Sequence, residues 1–138
     1  MTKMFSTIIL SALAMMPSAF AQSSQPIQAK VPFAFSVHNT SLPAGSYQLT
    51  YSNTAHSLWI RGLDPNSKGV FVTALPADAS EASGTSGKLV FDCYGQSCSL
   101  ARVWRGGSAS RGLNVRQSAP QRVLSFSMRA VTVTIPAK

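Results

Sequence analysis

The stretch VPFAFSV sets Val31, Phe33, Phe35 and Val37 on one side of an extended chain and Pro32, Ala34 and Ser36 on the other. Successive side chains of a strand point to opposite faces, so this alternation marks a strand with one face in a core. The pattern returns in SYQLTYS, where Tyr47, Leu49 and Tyr51 oppose Gln48 and Thr50. Further short runs follow in SLWIRG, GVFVTAL, GKLVFDC, CSLARVW, RVLSFSM and VTVTIPA, most of them separated by Gly and Pro or by clusters of Ser, Asn and Asp. None of these windows carries the i, i+3, i+4, i+7 apolar stripe of a helix; a short turn in PADASEASG is the one exception. About eight short strands predict an all-β fold, a single-domain antiparallel β-sandwich or small β-barrel.

The N-terminus sets the compartment. In MTKMFSTIILSALAMMPSAFAQ a charged Lys3 precedes an apolar run from Phe5 to Met16, and Ala19-Phe20-Ala21 has the small-x-small form of a cleavage site. This predicts a signal peptide over residues 1–21, cleaved after Ala21, and a periplasmic or secreted protein. The apolar run is well short of the ~20 residues that span a bilayer and Pro17 follows it, which argues against a retained anchor; no transmembrane segment is expected after cleavage. Removing 21 of the 138 residues leaves 117, enough for one modest core. Within them, 22–30 (QSSQPIQAK) reads as a polar lead-in and 31–138 as a single β domain. The stretches near 76–87, small and polar, and 105–121, basic and poor in apolar residues, read as mobile loops.

Charge is distributed unevenly. Of twelve Lys and Arg, Lys3 leaves with the signal peptide, so eleven face Asp64, Asp78, Glu81 and Asp92, a formal charge of +7. From Arg102 onward there are six arginines and Lys138 with no acid at all. Such a field concentrates anions, which outside the cytoplasm means an anionic envelope polymer or lipid headgroups; the alternative is that the charge serves solubility alone. Arg102, Arg105, Arg111, Arg116 and Arg122 are the candidate anion-binding residues. No nucleic acid is expected as partner for an exported chain, although WRGGSASRG resembles Arg-Gly segments, and the protein is expected to be a monomer.

The two cysteines, Cys93 and Cys98, bracket a turn-like YGQS. A four-residue hairpin loop over Tyr94 to Ser97 sets Cys93 opposite Cys98, Asp92 opposite Ser99, Phe91 opposite Leu100 and Leu89 opposite Arg102. Leu89, Phe91, Cys93, Cys98 and Leu100 then share one apolar face, so pattern and pairing agree. Opposed residues have the Cβ separation a disulfide needs, and export favours oxidation, which predicts a staple. A zinc site would need His38 or His56 at ligand spacing, and a redox pair would show C-x-x-C beside a βαβ unit; neither pattern is present.

Catalytic machinery leaves no trace in the sequence. G-x-S-x-G is absent, SGTSGKLV has the wrong glycine spacing for a phosphate loop, and the four acids lie mostly in loop-like segments. No catalytic residues, metal site or cofactor are expected, and His38 and His56 read as solvated. Trp59 and Trp104 each stand close to an arginine, Arg61 or Arg105, and are candidates for stacking on a sugar or clamping an anion, or else are core and rim residues.

At VPFAFSV followed by LPAGSYQLTYS, and again at KLVFDCYG leading to LARVW, the sequence resembles a group of small uncharacterised exported β-rich proteins of environmental bacteria, with patterns V-P-F-x-F-x-V, L-P-A-G-x-Y-x-L and L-V-F-x-x-Y-G. The match spans most of residues 31 to 104. That group's hairpin usually lacks the cysteines, and its charged Gly-Arg-Glu-Leu segment is represented here by SRGLNVRQS, which keeps the glycine and loses the acid. The resemblance implies export and a β-rich fold, and brings no activity with it.

The expectation is therefore an exported non-catalytic β module, an envelope or extracellular binding protein that uses its basic C-terminal third. The alternative is a small barrel that carries an apolar ligand lined by Phe33, Phe35, Tyr47 and Phe91. An enzyme without a recognisable motif, or an outer-membrane barrel with unusually short strands, fits the residues less well.

Overall fold

Nearly every alternating run becomes a strand with its apolar side turned inward. The computed structural model describes residues 25–77, 86–106 and 112–138, and of Phe126 only the backbone. The expected signal peptide with its expected cleavage point, residues 78–85 of the first expected loop, and residues 107–111 of the second, Arg111 among them, lie outside the described residues. In chain order the elements are β1 (Ile27–Val31), β2 (Phe35–Val37), β3 (Thr40–Leu42), β4 (Gly45–Ser52), β5 (Ser57–Gly62), β6 (Gly69–Pro76), β7 (Gly87–Tyr94), β8 (Ser97–Trp104), β9 (Gly112–Val115), α1 (Ala119–Ser127) and β10 (Val131–Ala137).

The fold is all-β with one short helix, and its ten strands form one sheet that is not closed into a barrel. The ladder runs β1-β4-β5-β6-β9-β8-β2-β3, while β7 lies on the other edge of β8 and carries β10. One edge of β8 is shared: its Ser99 pairs with Ser36 of β2, and its Arg102–Trp104 end pairs with β9. Between β10 and β1 the gap is crossed by a reciprocal pair of backbone hydrogen bonds, Gln28 N–H to the Lys138 carbonyl at 2.7 Å and Lys138 N–H to the Gln28 carbonyl at 2.9 Å. The sheet thus wraps a single apolar interior without continuous strand pairing all the way round.

Several boundaries differ from the sequence reading. The polar lead-in gives way to strand at Ile27, whose side chain and those of Ala29 and Val31 are buried. Val31 to Val37 is two strands, because Pro32 has no N–H to offer a ladder and the chain breaks over Pro32-Phe33-Ala34. The stretch 105–121 contains β9 and the start of α1. RVLSFSM belongs to that helix and its C-cap: Ser118 caps it, its side chain accepting from Gln121 N–H while the Gln121 side chain accepts from Ser118 N–H, and Pro120 stands in the first turn, where no N–H is needed.

The hairpin also differs in detail. Tyr94 pairs with Ser97, so the turn is only Gly95-Gln96, with Gly95 at φ 62°. Cys93 lies opposite Cys98 in a disulfide, as the register argument requires. Further along, a bulge between Val90 and Phe91 sets Leu89 against Val103 instead of Arg102. The bulge resolves a conflict of pattern: strict register would turn Arg102 onto the apolar face.

The interior is filled. Phe91, Val31, Val37 and Val103 are fully buried, and Phe33, Phe35, Tyr47 and Phe91 pack edge to face, with centroids 5.1 Å (Phe33–Phe91), 5.2 Å (Phe35–Tyr47) and 5.3 Å (Phe35–Phe91) apart. The Tyr47 hydroxyl donates to the Pro43 carbonyl. Burial, and secondarily the Asp64 carboxylate, push the Tyr47 phenol above its ordinary value, so the donor stays protonated.

Candidate functional site

The outer face of the sheet over β5, β6, β9 and β8 carries exposed apolar side chains beside cationic ones. Along β6 every second residue points out: Phe71 is 70 % exposed and Leu75 56 %, with Thr73 between them. Outward positions on a half-buried strand are normally polar, and two large apolar side chains on one exposed stripe ask for an explanation. Register extends the stripe sideways. Trp59 of β5 pairs with Phe71, and their rings lie 3.9 Å apart at 33°. On the other side Leu75 pairs with Asn114 of β9, and Asn114 with Arg102 of β8.

Cations border this apolar strip. Arg61, two residues beyond Trp59, shares its face and donates to Gln48 Oε1 at 3.0 Å. Arg116, two residues beyond Asn114, is exposed, and its backbone N–H donates to the Thr73 carbonyl at 3.0 Å. Thr73, Leu75, Asn114, Val115 and Arg116 line a shallow cavity of about 320 Å³. The Trp59 ring is pinned as well: a Cβ on Gly69 would lie 2.4 Å from its Cη2, so only glycine lets the indole lie flat on β6. A rigid aromatic pair with guanidinium groups on either side can stack on a ring and pair with an anion at the same time.

The sequence candidates divide among several places. Arg102 and Arg116 belong to this face, with Arg61 joining them from β5. Arg105 lies at one end of the sheet, its guanidinium 5.7 Å from the Tyr51 ring centroid, in a separate cavity of about 460 Å³ that Lys138 also lines. Arg122 is exposed on α1. Among the described residues Arg102 and Arg116, Arg105, and Arg122 therefore lie in three different places.

Of the two tryptophans, Trp59 is half-exposed on the candidate face, whereas Trp104 is 3 % exposed, covered by Gly112 and the Lys88 ammonium 5.8 Å from its centroid, and has no surface left for stacking. Phe71 and Leu75 are not among the sequence candidates; their signal is an apolar residue at two of the alternate positions of GVFVTAL where a polar one is due. Phe33, Phe35, Tyr47 and Phe91 fill the core by touching one another, and the described cavities are lined by other residues.

The two histidines differ. His56 is exposed at φ 46°. His38, at φ 53° in the two-residue turn between β2 and β3, is not simply solvated, because its Nδ1 is buried. Asp92, paired with Ser99, has its carboxyl raised above the ordinary carboxylate value by burial. Among the described residues no group of His, Cys, Asp and Glu could hold a metal ion, and no helix is long and apolar enough to cross a membrane. No family model matches the chain, and neither a curated protein nor a solved structure matches it.

Proposed function

We propose that this is an exported, non-catalytic binding module that holds an anionic polysaccharide of the envelope or its surroundings on the outer face of β5, β6, β9 and β8. The observation that carries the reading is the register that sets the Trp59–Phe71 pair and Leu75 beside Arg61, Arg102 and Arg116. Sugar rings present C–H faces that stack on aromatic rings, and carboxylate or sulfate groups pair with guanidinium. The signal-like N-terminus and the Cys93–Cys98 disulfide support an oxidising compartment, and the formal charge of +8 over the whole chain supports an anionic partner. The ring-packed interior favours this surface reading over a carrier with an apolar cavity.

The test is retention on an immobilised acidic polysaccharide and on anionic liposomes across a salt gradient. Polysaccharide retention that falls steeply with salt and is weakened by Phe71→Ala and by Arg116→Ala supports the reading. Salt-insensitive retention, retention on liposomes alone, or unchanged retention in both variants overturns it.

A further inference from the structure

A second place on the surface has different chemistry. The pairings Thr132 with Asp92, Asp92 with Ser99, Ser99 with Ser36 and Ser36 with Ser41 draw a polar row across β10, β7, β8, β2 and β3. Helix α1 covers its middle through a polar contact: Gln121 Nε2 donates to Ser36 Oγ at 3.0 Å and to Ser99 Oγ, while Gln121 Oε1 accepts from Ser118 N–H at 3.1 Å. Ser99, Ser118 and Gln121 are 7 %, 4 % and 9 % exposed, so this is a built, buried polar floor whose hydrogen bonds hold one another in place.

Beside the floor opens a cleft of about 320 Å³, at the small end of the ~300–1,000 Å³ usual for small-molecule sites. Its walls are the His38-Asn39 turn with Ser41 on one side, Tyr94 and Ser97 of the disulfide hairpin on another, and the first turn of α1 on the third. The lining carries hydroxyl, amide and imidazole groups and no Lys, Arg, Asp or Glu. His38 lines the cleft, and its Nδ1 is buried with no hydrogen-bond partner among the described residues. Buried polar atoms are nearly always paired, so a turn of the His38 ring that brings this nitrogen to the cleft gains a partner from a bound ligand.

We infer that this cleft binds a single neutral hydroxylated ring, a sugar residue, with the His38 imidazole, its ring turned to the cleft, and the surrounding hydroxyls meeting its hydroxyl groups and Tyr94 offering a ring face. The inference does not depend on the charged face described above: it has no cation to pair with an anion, and its binding is indifferent to salt, where retention on the charged face is not.

The experiment is titration of the disulfide-bonded mature chain with glucose, galactose, mannose and N-acetylglucosamine, followed by amide chemical shifts, with glucuronate as the charged counterpart. Saturable shifts confined to residues 36–41, 94–99 and 118–124, unchanged by added salt, are expected for at least one neutral sugar. His38→Asn, whose residue tolerates a left-handed φ, weakens that binding about tenfold, and Ser41→Ala gives a second variant on an exposed position. No saturable shift with any of the four sugars, shifts elsewhere, tighter binding of glucuronate, or equal binding in both variants overturns the inference.

Discussion

The indole of Trp104 lies over Gly112 on the neighbouring strand so closely that a Cβ on Gly112 would sit 2.5 Å from Cζ3 of the ring. A bare glycine and an aromatic ring on paired strands complete each other: the ring covers backbone that the missing side chain leaves open. Trp59 and Gly69 repeat the arrangement on β5 and β6. Gly112→Ala forces Trp104 off its seat or parts β8 from β9, and is expected to cost about 1–3 kcal/mol, read as a lower midpoint in chemical denaturation with an unchanged slope. A variant as stable as the parent contradicts the packing described for Trp104.

Phe71 stands at the opposite extreme. At 70 % exposure its ring contributes little to the core, so Phe71→Ala is expected to change stability by no more than about 0.5 kcal/mol while weakening polysaccharide retention. The pair of measurements separates binding from folding. Because Trp59 is half-exposed beside Phe71 and Trp104 is buried, the proposed polysaccharide binding is expected to change the fluorescence of Trp59, and Trp59→Phe is expected to abolish that change.

Asp92 makes a pH-dependent contribution whose sign follows from burial. Its folded-state value is raised, so the folded protein binds the proton more tightly than the unfolded chain does. The stability linked to that proton is fully present below the ordinary carboxylate value and is lost as pH rises through the raised folded value. Asp92→Asn, neutral at every pH, is therefore expected to raise the thermal midpoint at neutral pH and to leave it unchanged in strong acid. An equal shift at both pH values removes the electrostatic account.

The disulfide closes a loop of only six residues, Cys93 to Cys98, across a turn that Gly95 already permits. The chain-entropy estimate for so short a loop is about 2 kcal/mol. Replacing both cysteines with serine is expected to lower stability by about that amount and to leave the β-rich circular dichroism intact. Loss of the fold in the double variant shows that the bridge holds more than the hairpin end.

Much of this molecule is local and therefore readable from the chain. Alternation in SYQLTYS, SLWIRG and GVFVTAL names the strands and their inner faces, because side-chain direction in a strand depends only on residue parity. Opposed cysteines around a tight turn follow from hairpin register in the same way. Where two local rules compete, the chain misleads: Leu124, Phe126 and Met128 alternate with serines as a strand would, yet Ser118, Pro120 and Gln121 start a helix across that stretch, and the capping signal outweighs the alternation. A bulge at Val90 and Phe91 likewise cannot be seen from β7 alone, since it exists to keep Arg102 out of a core assembled from other strands.

Neither surface site is written in any one segment. Trp59, Phe71, Leu75, Asn114 and Arg102 come from four strands and Arg116 from the residue after β9, and they meet only because β6 pairs with β5 on one edge and with β9 on the other. The polar floor needs Ser36, Ser99 and Gln121, which are 63 and 22 residues apart. Sequence determined most of the residues that face inward and that the chain's net charge is positive; tertiary structure decided which outward residues become neighbours, because strand order is set by burial of the whole apolar interior and not by any local preference.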